Sequence, residues 1–208
     1  MAAPPRPTRR QEYAQETRQA IVDAARKLFA ERGYFATRVD DIAAEARVSP
    51  ATVYSVTGGK QSLLTGLIVS WNDDPMIAST LDGIDASVDS VEIIRQLASA
   101  SRTMRESFVD IMQVMLVTAP HDTEIAELER RSTTHYRSAI ESIAERLVEL
   151  GEVQPGLQLQ DVADLLWFYF GYASYFTLVG DNGWSYERAE GWLAEQAVSV
   201  LLTETPGS

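Results

Sequence analysis

Residues 37–64, TRVDDIAAEARVSPATVYSVTGGKQSLL, decide how this chain is read. Thr37 can cap a helix, with Asp40 three residues on in a capping-box-like position. Ile42, Ala43 and Ala46 supply that helix's buried face. Ser49-Pro50 starts a second helix, with Ser as N-cap and Pro at the first helical position. Gly58-Gly59 ends it soon after, near Val56, and a third helix opens at Lys60. Leu63, Leu64, Leu67, Ile68 and Trp71 line one side of the third. Two short helices across a tight turn form a helix-turn-helix, with Val48 and Val53 facing inward.

Outward from this stretch the chain is helical throughout. Glu12 to Arg32 places Ile21, Ala25, Leu28 and Phe29 on one face, with Gly33 as its stop. Residues 1–11 read as a flexible basic arm carrying Arg6, Arg9 and Arg10, which can lie along a backbone or in a minor groove. Asn72 to Asp89 reads as a connection and a domain boundary. Val91 to Met115 keeps helical spacing as one helix, or as two broken near Ser99–Thr103, up to Ala119-Pro120. Ile125 to Leu150 marks a long helix, Gln158 to Val179 one apolar nearly all round, and Tyr186 to Leu202 the last. With no alternating pattern the class is all-α. The divisions are 1–11, 12–72 for the helix-turn-helix domain and 73–208 for a larger C-terminal helical domain.

Charge tests the motif. The chain has 18 basic and 30 acidic side chains, net −12, which opposes contact with a polyanion. The imbalance is uneven. Up to Trp71 there are ten basic and seven acidic side chains, net +3; the remainder has eight and 23, net −15. Such asymmetry suits a chain in which one part meets nucleic acid. There is no cysteine, so disulfides and thiolate metal sites are excluded. The run Leu165 to Gly180 carries no charge but falls short of the roughly 20 apolar residues a membrane span needs. A buried helix is the expectation there, and a cytoplasmic, nucleoid-associated protein without a membrane partner.

In a helix-turn-helix the second helix enters the major groove with its N-terminal residues on base edges. Pro50, Ala51, Thr52, Tyr54 and Ser55 can face out, and the small groups suit thymine methyls. Ser49 stands at the helix start. Arg38, Tyr54, Lys60 and the exposed N–H groups at the helix starts are placed for phosphates, Arg47 for a phosphate or a base, and Thr37 counts among the DNA-binding residues. No Ser-His-Asp set, phosphate-binding glycine loop or zinc motif is present, so no catalytic residue, metal or cofactor is assigned and an enzyme is disfavoured. His121 and His135, with Asp122 and Glu124 nearby, fit no strong ligand spacing; surface or capping roles are expected of them.

Residues 17–64 resemble the N-terminal DNA-binding domain of TetR-type transcriptional regulators. The features are Ala-Ala-x-x-Leu-Phe in the first helix, Gly33-Tyr34, Thr37, Asp41-Ile42-Ala43, Val48-Ser49, Thr52-Val53-Tyr54 and Lys60. The resemblance covers about a quarter of the chain, and beyond it only the helical layout matches. Two positions depart from the pattern. The family usually has Gly where Arg47 stands, because the turn takes positive φ, and an aromatic where Thr57 stands.

The resemblance implies a homodimer through the last two helices, double-stranded operator DNA as partner, and a small-molecule pocket within residues 90–180. Met104, Phe108, Met112, Met115, Tyr136, Trp167 and Tyr172 are its candidate lining, suited to a small, largely apolar effector. The expected function is a ligand-responsive repressor on a palindromic operator. An activator or ligand-independent regulator on the same fold, or a helical ligand-binding protein with a decayed DNA-binding domain, is the alternative.

Overall fold

The computed structural model describes residues 8–75, 79, 83–84 and 87–203. Arg6 of the arm and part of the connection between Asn72 and Asp89 lie outside the described residues. The described helices are α1 (Arg9–Arg32), α2 (Val39–Glu45), α3 (Pro50–Thr57), α4 (Lys60–Asn72), α5 (Ser90–Thr118), α6 (Thr123–Leu150), α7 (Leu159–Phe170), α8 (Tyr172–Tyr175) and α9 (Tyr186–Leu201). A 3-10 turn at Ala119–His121 joins α5 to α6, and a π-helical segment, Phe176–Asp181, follows α8. One antiparallel bridge, Val153 to Leu202, is the only β pairing among the described residues. The fold is all-α.

The chain forms two compact units. The first takes in the chain up to Asn72 together with Asp110–Glu129; the second takes in Asp73–Val109 and Arg130 onward. The first unit therefore claims the end of α5 and the start of α6, which the sequence division at residue 73 assigns elsewhere.

In the first unit α1 packs on α2, α3 and α4. Ile21, Ala24, Ala25, Leu28 and Phe29 form its buried stripe, against Ile42, Val53, Leu64 and Ile68. α1 begins one turn earlier than expected, at Arg9, because Thr8 and Gln11 form a capping box. The Thr8 amide donates to Gln11 Oε1 at 2.8 Å and the Gln11 amide to Thr8 Oγ1 at 3.4 Å. Arg9 and Arg10, assigned to the flexible arm from sequence, are helical.

In the second unit Ile93, Ile94 and Leu97 of α5 meet Ile140, Ile143 and Leu147 of α6, Leu166 and Phe170 of α7, and Leu193, Ala197 and Leu201 of α9. α5 is one unbroken helix through Ser99–Thr103, where the Thr103 hydroxyl bonds back to the Ser99 carbonyl at 2.9 Å.

The expected single helix from Gln158 to Val179 is instead interrupted at Gly171. Its amide donates to the Trp167 carbonyl at 2.7 Å while its ψ of −171° leaves the helical region. A Cβ at this position would sit 2.4 Å from that carbonyl oxygen, so only glycine allows the close approach. By length and composition Leu159–Asp181 could cross a membrane, at mean hydropathy 1.2. Its Val162, Ala163, Leu166, Phe170 and Tyr175 lie in the second unit's core, while Phe168 is 70% exposed, so the helix is not buried on every side.

Candidate nucleic-acid interface and an interior site

The turn between α2 and α3 is built on Arg47. It has φ of +57°, the one non-glycine positive φ among the described residues. Its amide donates to the Ala44 carbonyl at 3.2 Å, and the next amide, Val48, to Ala43 at 2.9 Å. The position needs the left-handed conformation that glycine adopts freely and a Cβ opposes. The Arg47 side chain is exposed and has no hydrogen-bond or ion-pair partner among the described residues. Strain at this turn therefore comes with an outward guanidinium.

α3 follows with a capped start. Ser49 Oγ accepts the Thr52 amide at 3.1 Å and lies 2.8 Å from Thr52 Oγ1, with Pro50 at the first helical position. Val53 is fully buried, whereas Ser49, Pro50, Ala51, Tyr54 and Ser55 are exposed and Thr52 is half-buried. Gly58 ends α3 in the left-handed region, with φ of +82°. Gly59 brings its backbone so near Tyr54 that a Cβ would lie 3.1 Å from the ring, so the glycine lets the ring settle over the loop. Thr57 has a clear role here. Its hydroxyl donates to the Val53 carbonyl at 2.8 Å and accepts the Gly59 amide at 3.4 Å, tying the helix end to the glycine loop.

Three assigned positions change meaning. The N-cap of α2 is Arg38, not Thr37, and it is the Asp41 carboxylate, not Asp40, that accepts the N-cap amide, at 2.9 Å. Thr37 is 1% exposed, with its hydroxyl donating to the Leu28 and Gly33 carbonyls, so it does not present a side chain to DNA. Lys60 is drawn inward: its Nζ donates to the carbonyls of Tyr34 at 2.9 Å and Thr37 at 3.1 Å and lies 4.1 Å from the centre of the Tyr34 ring. Burial pushes its pKa below that of an ordinary lysine. Two of its three N–H groups clamp the turn between α1 and α2, which leaves one to reach outward. Arg38, like Arg47, is exposed.

His121 is exposed and meets the edge of Phe35, and the neighbouring Asp122 caps α6 through the Glu124 and Ile125 amides. Arg26 and Asp110 form a two-point pair, at 2.7 and 2.8 Å, that fastens α1 to the end of α5 within the first unit.

Residues 21–67 match the profile of bacterial regulatory proteins of the tetR family. Over this segment the chain carries a tetR-type DNA-binding domain. An HTH-type transcriptional regulator, HbdR of Aromatoleum sp. (strain CIB), is 44% identical over 50 residues, which are 24% of this chain and 22% of that relative's length. YdeS of Bacillus subtilis (strain 168), an uncharacterized HTH-type transcriptional regulator, is 27% identical over 154 residues, 73% of this chain and 74% of the relative. Among solved structures, the transcriptional regulator FadR from Bacillus subtilis in complex with stearoyl-CoA superposes with a TM-score of 0.66 at 19% identity, covering 88% of this chain and 98% of that one. That likeness is one of fold. The family and its relatives are transcriptional regulators, not enzymes.

A second feature lies inside the second unit. Tyr136, Trp167 and Tyr172 come together, with ring centres 5.4–6.0 Å apart. Met104 is buried on α5 in the same unit. Met112 and Met115 are fully buried and fall in the first unit. Phe108 is half-buried in the second unit.

The residue missed from sequence is Arg105, 1% exposed. Its guanidinium lies 5.3–6.0 Å from the rings of Tyr136, Tyr172 and Tyr175. Its Nη2 donates to the Phe170 carbonyl at 3.2 Å, and the Tyr136 hydroxyl donates to the same oxygen at 2.6 Å. That carbonyl stands at the break before Gly171. Arg105 Nε is buried without an acceptor. A buried charge with no counter-charge costs several kcal/mol.

A cleft of about 660 Å³ is lined by Trp167 and Tyr172 of this cluster with Phe168, Trp192, Arg137 and Asp164, the last two 3.8 Å apart. Arg137 also stacks on Trp167 at 4.6 Å. On α7 and α9, Leu159, Phe168, Trp192 and Val200 are exposed apolar residues, at 42%, 70%, 42% and 40%.

Proposed function

We propose that this chain is a ligand-responsive transcriptional repressor of the cytoplasm. In this reading it binds a palindromic operator as a dimer and is released by a small, largely apolar effector. The observation that carries the DNA part is the start of α3. A rigidly capped helix N-terminus presents small, exposed groups, flanked by the exposed cations Arg38 and Arg47. Ser49, Pro50, Ala51, Thr52 and Ser55 are assigned to base edges and the groove, and Arg38, Arg47, Tyr54 and the free N–H of Lys60 to phosphates. DNA binding falls to residues 12–72, and effector binding and dimerisation to residues 73–208.

Leu159, Phe168, Trp192 and Val200 support the dimer, because large apolar groups on two adjacent helices call for cover. Two copies related by a two-fold axis would match two half-sites. The packing of α7 into the second unit's core supports a chain that works without a membrane. That FadR was solved with stearoyl-CoA supports a helical domain of this architecture accepting an elongated apolar ligand.

The test is selection of duplexes from the source genome by the purified chain, followed by titration of a recovered duplex at increasing salt. Specific binding with a steep inverse salt dependence is expected. Absence of salt-sensitive binding to any recovered duplex or to its own promoter region would defeat the reading.

A further inference from the structure

Two arginines one turn apart on α5 are treated oppositely by the fold. Arg102 is half-buried and takes three carboxylates: Glu190 at 2.9 Å, Glu106 at 3.4 Å and Glu187 at 3.8 Å. Arg105 is buried and takes none among the described residues. Only its Nη2 reaches an acceptor, and that acceptor is a neutral carbonyl. The acidic side chains whose field reaches Tyr175, and Tyr186 stacked on it, are Glu190 and Glu106, and both are already engaged by Arg102.

The tyrosines do not neutralise Arg105 either. Burial, reinforced by Glu190, pushes the Tyr175 phenol far above its ordinary pKa, so it stays neutral, and it donates to the Ala98 carbonyl. Tyr136 spends its proton on the Phe170 carbonyl. The guanidinium is thus left as a charge walled by tyrosine faces, with a buried N–H directed at no protein acceptor. Such a group is matched by a ligand that brings the missing carboxylate in a flat, two-point geometry. The aromatic cluster around it suits an apolar or aromatic body behind that carboxylate.

We infer that Arg105 anchors the acidic group of the effector, and that the effector is an organic carboxylate with an apolar body. Tyr136, Tyr172 and Tyr175 wall the site, and Ser101, 2% exposed and 3.3 Å from the Tyr136 hydroxyl, supplies a further hydroxyl at its edge. The inference rests on the ligand-responsive reading above and names the chemical class that reading leaves open.

The experiment uses the full chain and two matched pairs of probes, 4-phenylbutyrate with 4-phenylbutanamide and decanoate with decanamide. 3-Phenylpropyltrimethylammonium serves as a cationic control. Binding is read by calorimetry without DNA. At least one acid should bind about 10- to 100-fold tighter than its amide, the ratio expected for a hydrogen-bonded charge. Arg105→Met should bring that ratio to about one, and Arg105→Lys should keep part of it.

The unliganded Arg105→Met chain should hold or raise its Tm, since a buried unpaired charge is removed. Four outcomes overturn the inference: equal binding of acid and amide in both pairs, no saturable binding of either acid, tighter binding of the ammonium, or an acid preference that survives Arg105→Met. A Tm drop of more than about 5 °C in that variant would mark Arg105 as a structural residue and overturn it as well.

DNA release is measured separately by fluorescence anisotropy. Arg105-dependent acid binding with no effect on DNA refutes the repressor reading alone. DNA release by an amide or a neutral compound, with no acid preference, refutes the anion site alone.

Discussion

Replacing Arg47 separates two effects that the structure superimposes. At φ of +57° a side chain with a Cβ pays roughly 1–2 kcal/mol relative to glycine in the folded state. Glycine returns roughly 0.5–1 kcal/mol of that through the greater freedom of its unfolded chain. Arg47→Gly should therefore stabilise the chain by about 0.5–1 kcal/mol, or about 1–4 °C in Tm for a chain of this size. The same change removes an exposed guanidinium from the proposed DNA face. If that group meets a phosphate in each subunit of the proposed dimer, the slope of log K against log salt should shrink by about 1.8, about 0.9 per contact. Affinity at fixed salt should fall about 10-fold or more. Arg47→Ala keeps the strain and loses the charge; Arg47→Lys keeps both. Differential scanning calorimetry and anisotropy titrations at four salt concentrations then give two orderings. Stability should rank Gly above Ala, Lys and Arg, and affinity should rank Arg and Lys above Gly and Ala. Equal Tm for Gly and Ala would refute the strain argument, and unchanged slope and affinity for both would refute the phosphate contact.

Thr37→Val removes a buried hydroxyl that donates to two carbonyls; it should cost about 1–3 kcal/mol by urea denaturation while leaving DNA affinity of the folded fraction unchanged. Gly171→Ala puts a Cβ 2.4 Å from the Trp167 carbonyl, so a loss of about 1–3 kcal/mol is expected by thermal unfolding. A wild-type Tm there would show that the break is easily relieved. Phe168→Glu with Trp192→Glu should give a monomer by sedimentation velocity, with unchanged helical circular dichroism and much weaker operator binding. A dimer that persists would place the interface elsewhere.

The first unit was readable because its signals are local. Ser49-Pro50, Gly58-Gly59 and Gly33 each act within a few residues, and each ends or starts a helix where the sequence indicates. The positive φ at Arg47 follows from position alone, since the turn demands it whatever side chain stands there. The slip at Thr37 shows the limit of local reading. Thr37 is the residue type that caps helices, but the Leu28 and Gly33 carbonyls draw its hydroxyl into the core, and the cap position falls to Arg38. Thr8 and Gln11 did carry a capping box at the spacing that would have revealed the earlier start of α1.

The second unit hid more because its decisive contacts are distant. The break at Gly171 is invisible in the uncharged run LLWFYFGYASYF, where a glycine can sit in a helix; the obstacle is the Trp167 carbonyl, seen only once the chain is folded. Arg105 left one trace. Ala98, Ser101, Arg105, Phe108, Met112 and Met115 recur at alternating steps of three and four, the stripe of a core-facing helix. A guanidinium on that stripe must be buried, and a buried guanidinium needs a reason.

Both partners proposed for this chain are anions, and the fold handles them in opposite ways. DNA is met by exposed cations on the part of the chain that carries net +3, where each contact displaces counterions and salt weakens binding. A small carboxylate would have to approach residues carrying net −15, a repulsion that salt screens beyond about 8 Å. Once inside, it meets Arg105 among tyrosine faces, where water and ions are excluded and screening is slight. Salt should therefore leave the acid's affinity nearly unchanged or raise it slightly, while DNA affinity falls steeply. Binding free energy for the acid comes from its apolar body and one buried contact, and it acts on DNA only to the extent that the two bound states differ in affinity for it. Opposite responses to the same salt series thus distinguish a surface built for a polyanion from an interior built for a single charge.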